Sequence, residues 1–265
     1  MATITGMMNS LFPNLALHYK VARRIIGRPL LLRVIEKAVL NRRSHLHSSG
    51  WIRSFQEERP VDCDGNPVPW MNYSITKLLE TRLNSHLDLF EYGSGYSTLF
   101  FSRLVNHVTS VEYDETWLDI LKQHIPHNVT LLSMAADIDG EYCRAIRSAG
   151  RRYDVVVIDG RDRVNCMKEG IRSVTDTGVV LLDDSQREYY KEAIEYATQH
   201  GFRMLSIEGP KVAAFDIHRT TVFYRDNNCL GIQLTNSGVL FESTKRRRYL
   251  RCFRPPIPCH DTGFG

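Results

Sequence analysis

From residue 87 to residue 226 the chain alternates between two patterns. Short continuous apolar runs give way to stretches whose apolar residues recur three and four apart. "LDLFEYG" (87–93) predicts a strand and "STLFFSRLV" (97–105) a helix. "HVTSVEYD", "NVTLLSMA", "YDVVVIDG" and "GVVLLDDS" predict further strands, each followed by a helical stretch: "TWLDILKQHI", "GEYCRAIRSAG", "VNCMKEGIRSV" and "EYYKEAIEYATQH". Strands that are apolar on both faces, separated by helices of about ten residues, indicate a parallel sheet covered on both sides. The last pair, "FRMLSIEG" and "RTTVFYRD", has no helix between its members and reads as an antiparallel hairpin closing the sheet.

Ahead of this region, "SITKLLETRL" (74–83) predicts a helix with Ser74 as its N-cap. Before it, "SFQEERPVDCDGNPVPW" (54–70) carries Pro60, Gly65, Pro67 and Pro69, which mark a linker or an ordered loop. "VARRIIGRPLLLRVIEKAVLNRR" (21–43) predicts one or two basic amphipathic helices, broken at Gly27 and Pro29. Such a segment can pack on the main domain, lie on a membrane surface or serve as a targeting segment. The organisation expected is a basic helical extension (1–50), a proline-rich loop and lead-in helix (51–86), the α/β domain (87–230) and a C-terminal extension with a basic tail (231–265).

Composition changes this picture little and charge changes it more. Of 265 residues, 43% are hydrophobic and 24% charged, as in ordinary globular proteins. No apolar run reaches the length of a membrane span, and the start lacks the layout of a secretory signal, so a cytoplasmic protein is expected. Cys63, Cys143, Cys166, Cys229, Cys252 and Cys259 include no CxxC pair, which suggests reduced thiols. The net charge of +4 is unevenly held: residues 1–50 carry +7 and residues 241–265 carry +4, which leaves −7 for residues 51–240. An anionic partner would therefore meet the ends, not the middle. "KRRRYLRCFR" (245–254) can attract phosphate from nucleic acid or anionic lipid, or remain a solvated tail. It belongs to no recognisable nucleic-acid module, so a nucleic-acid partner is not expected.

Ligands of open α/β sheets sit beyond the carboxyl ends of the strands. There the chain places Glu91, Gly93 and Gly95, then Glu112, Asp137, Asp159 and the pair Asp183–Asp184. Five strands of five end in a carboxylate. Two glycines in a strand-to-helix turn occur in many nucleotide-binding folds and also in plain tight turns. Here the third glycine of the dinucleotide fingerprint is replaced by Ser97, and an acid, Glu91, stands in the turn. A carboxylate there repels a pyrophosphate and can accept bonds from an ammonium group. Glu112, with the acid-to-ribose logic of a second strand tip, completes a site for a ribose and a cationic tail. S-adenosyl-L-methionine fits that description better than NAD.

At this point the chain resembles the class I S-adenosylmethionine-dependent methyltransferases. "FEYGSGYST" is similar to their E/DxGxG loop, "SVEYD" to the ribose-binding acid and "AAD" (135–137) to the stretch beside the adenine. "PVPWMNY", "IDGRDRVNC", "LLDDS" and "TTVFYR" resemble segments of a bacterial subgroup acting on small molecules or saccharides. The resemblance spans about residues 60–225. It implies a Rossmann-like, doubly wound, mostly parallel seven-stranded sheet with an antiparallel last strand. It further implies donor contacts from Glu91, Gly93, Ser94, Gly95, Ser97, Glu112 and Asp137, with Trp70 and Tyr73 covering the site. Those two aromatics can equally pack under the proline-rich loop.

Asp159, Asp183 and Asp184 at adjacent strand ends can share a divalent cation such as Mg²⁺, as in the cation-dependent O-methyltransferases that the chain resembles. They can also pair with Arg161 or Arg163 and cap the next helix. Without a metal, Asp159 is the first candidate base and His218 the second. Arg161, Arg163 and Lys211 can hold an anionic acceptor or be solvated surface charges. The reading reached is methyl transfer from S-adenosylmethionine to a small-molecule or saccharide acceptor, on oxygen. Its rivals are an RNA methyltransferase and a non-catalytic binding protein on a degenerate fold.

Overall fold

The structure, a computed structural model, describes residues 30–233 except Ala149. Residues 1–29 and 234–265, which include the first helical stretch, the basic tail, Cys252 and Cys259, lie outside the described residues.

Seven strands form one sheet: β1 (Asp88–Tyr92), β2 (His107–Glu112), β3 (Val129–Ser133), β4 (Tyr153–Ile158), β5 (Val174–Leu182), β6 (Arg203–Pro210) and β7 (Ile217–Tyr224). Their order is β3-β2-β1-β4-β5-β7-β6. All pairs through β5 are parallel, and β7 is antiparallel to both β5 and β6. This is the Rossmann-like, doubly wound sheet with an antiparallel last strand. The expected hairpin forms, but its second strand, not its first, joins β5. Burial explains the order: Thr220–Tyr224 of β7 are all buried, whereas β6 exposes alternate residues. An apolar run belongs between two strands, and an alternating strand tolerates an edge.

Each strand splits its side chains between two apolar layers, as the two-residue repeat requires. Phe90, Tyr92, Val156, Ile158, Val180 and Leu182 face one layer. Leu89, Val155, Val157, Val179 and Leu181 face the other. Helices α7 (Glu141–Ser148), α8 (Arg163–Ser173) and α9 (Lys191–Gln199) cover the first layer. The second is covered by α4 (Tyr73–Arg82) and α5 (Tyr96–Ser102). α6 (Glu115–Lys122) starts at Asp114, whose carboxylate accepts the Trp117 N–H at 3.0 Å.

Upstream, α1 (Leu30–Ala38) begins directly after Pro29, followed by α2 (His45–Ser48) and α3 (Trp51–Glu57). α3 takes the first residues of the stretch expected to be irregular and stops where Glu58 turns left-handed, with φ of 53°. The cap of α4 also differs from expectation. Asn72, not Ser74, accepts the Ile75 N–H at 2.9 Å, while its amide donates to Ile207 O and Thr220 Oγ1 at 3.2 and 3.1 Å. Asn72 is thus chosen because one buried side chain caps a helix and pins it to the sheet. Cys143 and Cys166 are buried thiols, and Cys63 and Cys229 are also free.

Candidate active site

The strand order reverses between β1 and β4, and there the connecting loops part to leave a crevice. A cleft of about 640 Å³ opens at this point, within the range of small-molecule sites. Its floor comes from Gly93, Ser94, Gly95, Asp159 and Gly160. Glu58, Pro60 and Trp70 line it from the N-terminal side of the chain, and Glu112, Tyr113, Asp114 and Trp117 from the end of β2 and the start of α6.

The two glycines of the turn are needed for different reasons. Gly93 has φ of +95°, and a Cβ there would stand 2.9 Å from the Gly160 Cα. Gly160 is boxed in turn by the Tyr142 hydroxyl and the Gly93 N. Gly95 is extended, with φ of −179°, and its Cβ would meet nothing nearer than Ser97 Oγ at 3.9 Å. Neither backbone conformation nor packing demands glycine there. What its absent side chain leaves is open space over the turn.

Glu91 lies beneath that turn and is fully buried. Its Oε2 accepts the hydroxyls of Thr98 at 2.5 Å and Ser110 at 2.9 Å. Burial pushes its carboxyl up to about 7, against the pull of the hydroxyls of Ser97, Thr98 and Ser110. Its other oxygen, Oε1, is buried with no partner. Glu112, 6% exposed, holds the turn from the side: Oε2 accepts the Ser94 N–H at 3.0 Å, and Oε1 accepts the Tyr113 and Asp114 N–H groups at 2.8 and 3.1 Å. Three of its roughly four acceptor positions are filled.

Four residues that the sequence reading passed over shape the cleft. The Trp117 indole donates to Ser94 O at 2.8 Å, and its ring lies 6.2 Å from that of Tyr96. The Arg161 guanidinium lies over the Tyr113 ring at 5.0 Å and donates to its hydroxyl at 2.7 Å. Glu58 closes α3 and reaches the same cleft. Only Tyr113 carried a sequence signal, an aromatic directly after the strand-end acid.

The carboxylates of β4 and β5 are distributed among cations. Asp159 Oδ1 meets Arg163 Nη2 at 2.8 Å, the pairing that the sequence left open. Arg163, 9% exposed, also donates to the carbonyls of Gly160, Asp159 and Asp183, at 3.0, 2.9 and 2.7 Å. Asp183 accepts Thr220 Oγ1 at 2.5 Å, and Lys211 Nζ stands 3.9 Å from its second oxygen, which has no hydrogen bond. Asp184 accepts His218 Nδ1 at 2.6 Å and Arg187 at 2.7 Å, with Lys211 at 3.5 Å. Burial and Asp183 hold the Asp159 carboxyl above the usual range, against Arg163 and Lys211. Burial opposes ionisation of Asp184, but His218 and the surrounding cations hold it below that range.

This arrangement corrects several expectations. Among the described residues no group of three or more His, Cys, Asp or Glu side chains is placed to hold a metal ion. Asp159, Asp183 and Asp184 do not converge, because Arg163, Lys211, Arg187 and His218 stand where a cation would. The Mg²⁺ site is not formed by these residues. Asp184 caps no helix. Arg163, at the edge of the cleft, and Lys211 are paired with carboxylates, and Arg161 belongs to the Tyr113 wall of the cleft. Asp137 stands off the cleft: its carboxylate caps α7 by accepting the Glu141 and Tyr142 N–H groups at 2.9 and 3.2 Å. Tyr73 packs edge-on against His45 with centroids 5.8 Å apart, and burial pushes its hydroxyl up to about 12. Trp70 does line the cleft, 52% exposed. His218 is held by Asp184 and lies outside the cleft lining.

No protein-family model matches the chain, and no curated protein sequence does. Solved structures do. A precorrin-6y C5,15-methyltransferase from Geobacter metallireducens is 19% identical over 57% of this chain and 86% of its own, with a TM-score of 0.43. A precorrin 8w decarboxylase from Methanobacterium thermoautotrophicum is 15% identical over 63% of this chain and 97% of its own, with a TM-score of 0.48. A methyltransferase-like protein from Silicibacter pomeroyi is 25% identical over 60% of this chain and 89% of its own, with a TM-score of 0.44.

Proposed function

We propose that this chain is an S-adenosylmethionine-dependent methyltransferase whose acceptor is the hydroxyl of a small molecule or saccharide. The observation that carries the reading is the turn at the switch point. Gly95 leaves open space above a backbone that Glu112 braces, and a buried carboxylate with one unpartnered oxygen lies directly beneath. Three further carboxylates, Glu58, Asp114 and Asp159, line the cleft beside Glu112. Arg161 and Arg163 line the same cleft, Arg163 paired with Asp159, and the acidic excess that remains opposes a pyrophosphate and favours a ligand with a cationic end.

The donor supplies an electrophilic methyl group on a sulfonium. Glu112 has one acceptor position left for a ribose hydroxyl, and the Tyr113–Arg161 and Tyr96–Trp117 pairs offer flat faces to a purine. Glu91 does not line the cleft and acts on an ammonium group as a buried carboxylate beneath the turn. Asp159, with Oδ1 fixed by Arg163, keeps Oδ2 for the proton of an acceptor hydroxyl, and its raised affinity for protons suits a base near neutral pH. Positioning donor and acceptor in line supplies much of the acceleration in such a displacement. An RNA acceptor fits less well, since Arg163 and Lys211 are tied to carboxylates.

Calorimetric titration tests the reading. S-adenosylmethionine and its demethylated product bind and NAD does not, and Glu112→Ala weakens the donor by about tenfold or more, the scale of a lost bond to a charged group. NAD binding without S-adenosylmethionine binding would overturn it.

A further inference from the structure

Three aromatic rings meet on the surface where the β6–β7 loop touches α3. Trp51 lies 4.4 Å from Phe55 and 5.0 Å from Phe215, centre to centre, and Phe55 and Phe215 are 5.6 Å apart. Contacts of this kind belong in a core, yet Phe215 is 84% exposed, Phe55 43% and the nearby Ile217 60%. The loop is pinned in that position, because the Trp51 indole donates to Ala214 O at 2.8 Å. Single surface apolar residues need no explanation, but a contiguous ring cluster held toward solvent does.

The helix leading to the cluster has the same character. α1 spaces its apolar residues helically, exposes Arg33 and Lys37, and buries none of residues 32–38. Val34 is 52% exposed. Its C-terminal end is tied to α2 by Ser44 Oγ on Ala38 O at 2.6 Å and by His47 Nε2 on Val39 O at 2.7 Å. α2 in turn packs against α3. Charge selects the occupant. Among the described residues 30–50, Arg33, Lys37, Arg42 and Arg43 stand against Glu36 alone, so a second copy bringing the same segment is repelled and an anionic surface is attracted. Half-buried Trp51 and exposed Phe55 and Phe215 beside a basic amphipathic helix match the headgroup–acyl boundary of a bilayer.

We propose that α1, α3 and the β6–β7 loop form a face that docks on an anionic lipid bilayer, with Trp51, Phe55 and Phe215 seated at headgroup level. Glu58, which ends α3, also lines the cleft, so docking face and cleft share a helix. Co-sedimentation of the full chain with vesicles tests this independently of donor binding. Vesicles of phosphatidylcholine with phosphatidylglycerol bind it, and vesicles of phosphatidylcholine alone bind it far less. The double variant Phe55→Ser, Phe215→Ser loses about tenfold or more of that partitioning while its thermal midpoint is retained. Tryptophan emission of the wild type shifts to the blue on the anionic vesicles. Equal binding by the double variant, or no binding by the wild type, overturns the proposal. So does a dimer in solution that the double variant abolishes, or RNA binding that depends on the same two phenylalanines.

Discussion

Gly93 and Gly95 stand two residues apart and answer to different constraints, so alanine separates them. Gly93→Ala forces a left-handed φ on a side chain whose Cβ also presses on Gly160. It should lower stability by about 2–3 kcal/mol in urea melts. Gly95→Ala meets only Ser97 Oγ, at an ordinary contact distance of 3.9 Å, and should leave the midpoint within about 0.5 kcal/mol, yet it fills the space over the turn and should abolish donor binding in calorimetry. Glu91 makes a pH prediction. Its folded value near 7 lies above the ordinary 4.5, so the folded state binds more protons than the unfolded one in between. The stability this contributes is complete below pH 4.5 and is lost as pH rises through 7. At pH 8 the ionised, buried carboxylate costs about 3 kcal/mol. Urea midpoints of wild type and Glu91→Gln should therefore diverge by about that much between pH 4.5 and 8, in favour of the variant, and parallel profiles would refute the assignment. The positions of Glu91, Gly93, Gly95 and Glu112 at strand ends were legible in the sequence from periodicity alone. That Glu91 lies under the turn was not, because its burial depends on hydroxyls of Thr98 and Ser110 supplied by a helix and a neighbouring strand.

At the scale of elements, most strands and helices follow from their patterns, and the misplaced features are those decided by contacts distant in sequence. Asn72 is one. Its neighbour Ser74 is an equally good cap by propensity, but only Asn72 reaches Ile207 and Thr220, more than a hundred residues away. Asn72→Ala removes a cap and takes a donor from Ile207 O on β6 and from Thr220 Oγ1 on β7, which keeps its bond to Asp183. It should cost about 2–3 kcal/mol, read as a lower urea midpoint. The carboxylates ending β4 and β5 carry the same lesson. As a sequence pattern, Asp159, Asp183 and Asp184 are a metal cluster or a set of ion pairs. Arg163 and Arg187 are local partners, but Lys211, just after β6, and His218 of β7 complete the decision from far along the chain. No local pattern reports which cation a long-range strand will bring. Asp137 shows the opposite case: its partners are the adjacent N–H groups of α7, and a helix cap suffices to explain it.

Across the whole molecule, stability is unevenly distributed. β1, β4 and β5 are paired on both edges and buried on both faces, whereas none of residues 32–38 in α1 is buried. Amides of the central strands should exchange with solvent only through global unfolding, and those of α1 orders of magnitude sooner, as hydrogen–deuterium exchange would show. Equal protection of the two would contradict this division. The strand order also sets a clock. β5 cannot pair its outer edge until β7 exists, and 42 residues separate Leu182 from Tyr224. At a synthesis rate of about 5–20 residues per second, the apolar edge formed by Val180, Leu181 and Leu182 waits roughly 2–8 s on the ribosome with no partner. During that interval a nascent chain halted before β7 presents an open parallel sheet, and it is then that the newborn protein depends most on chaperones.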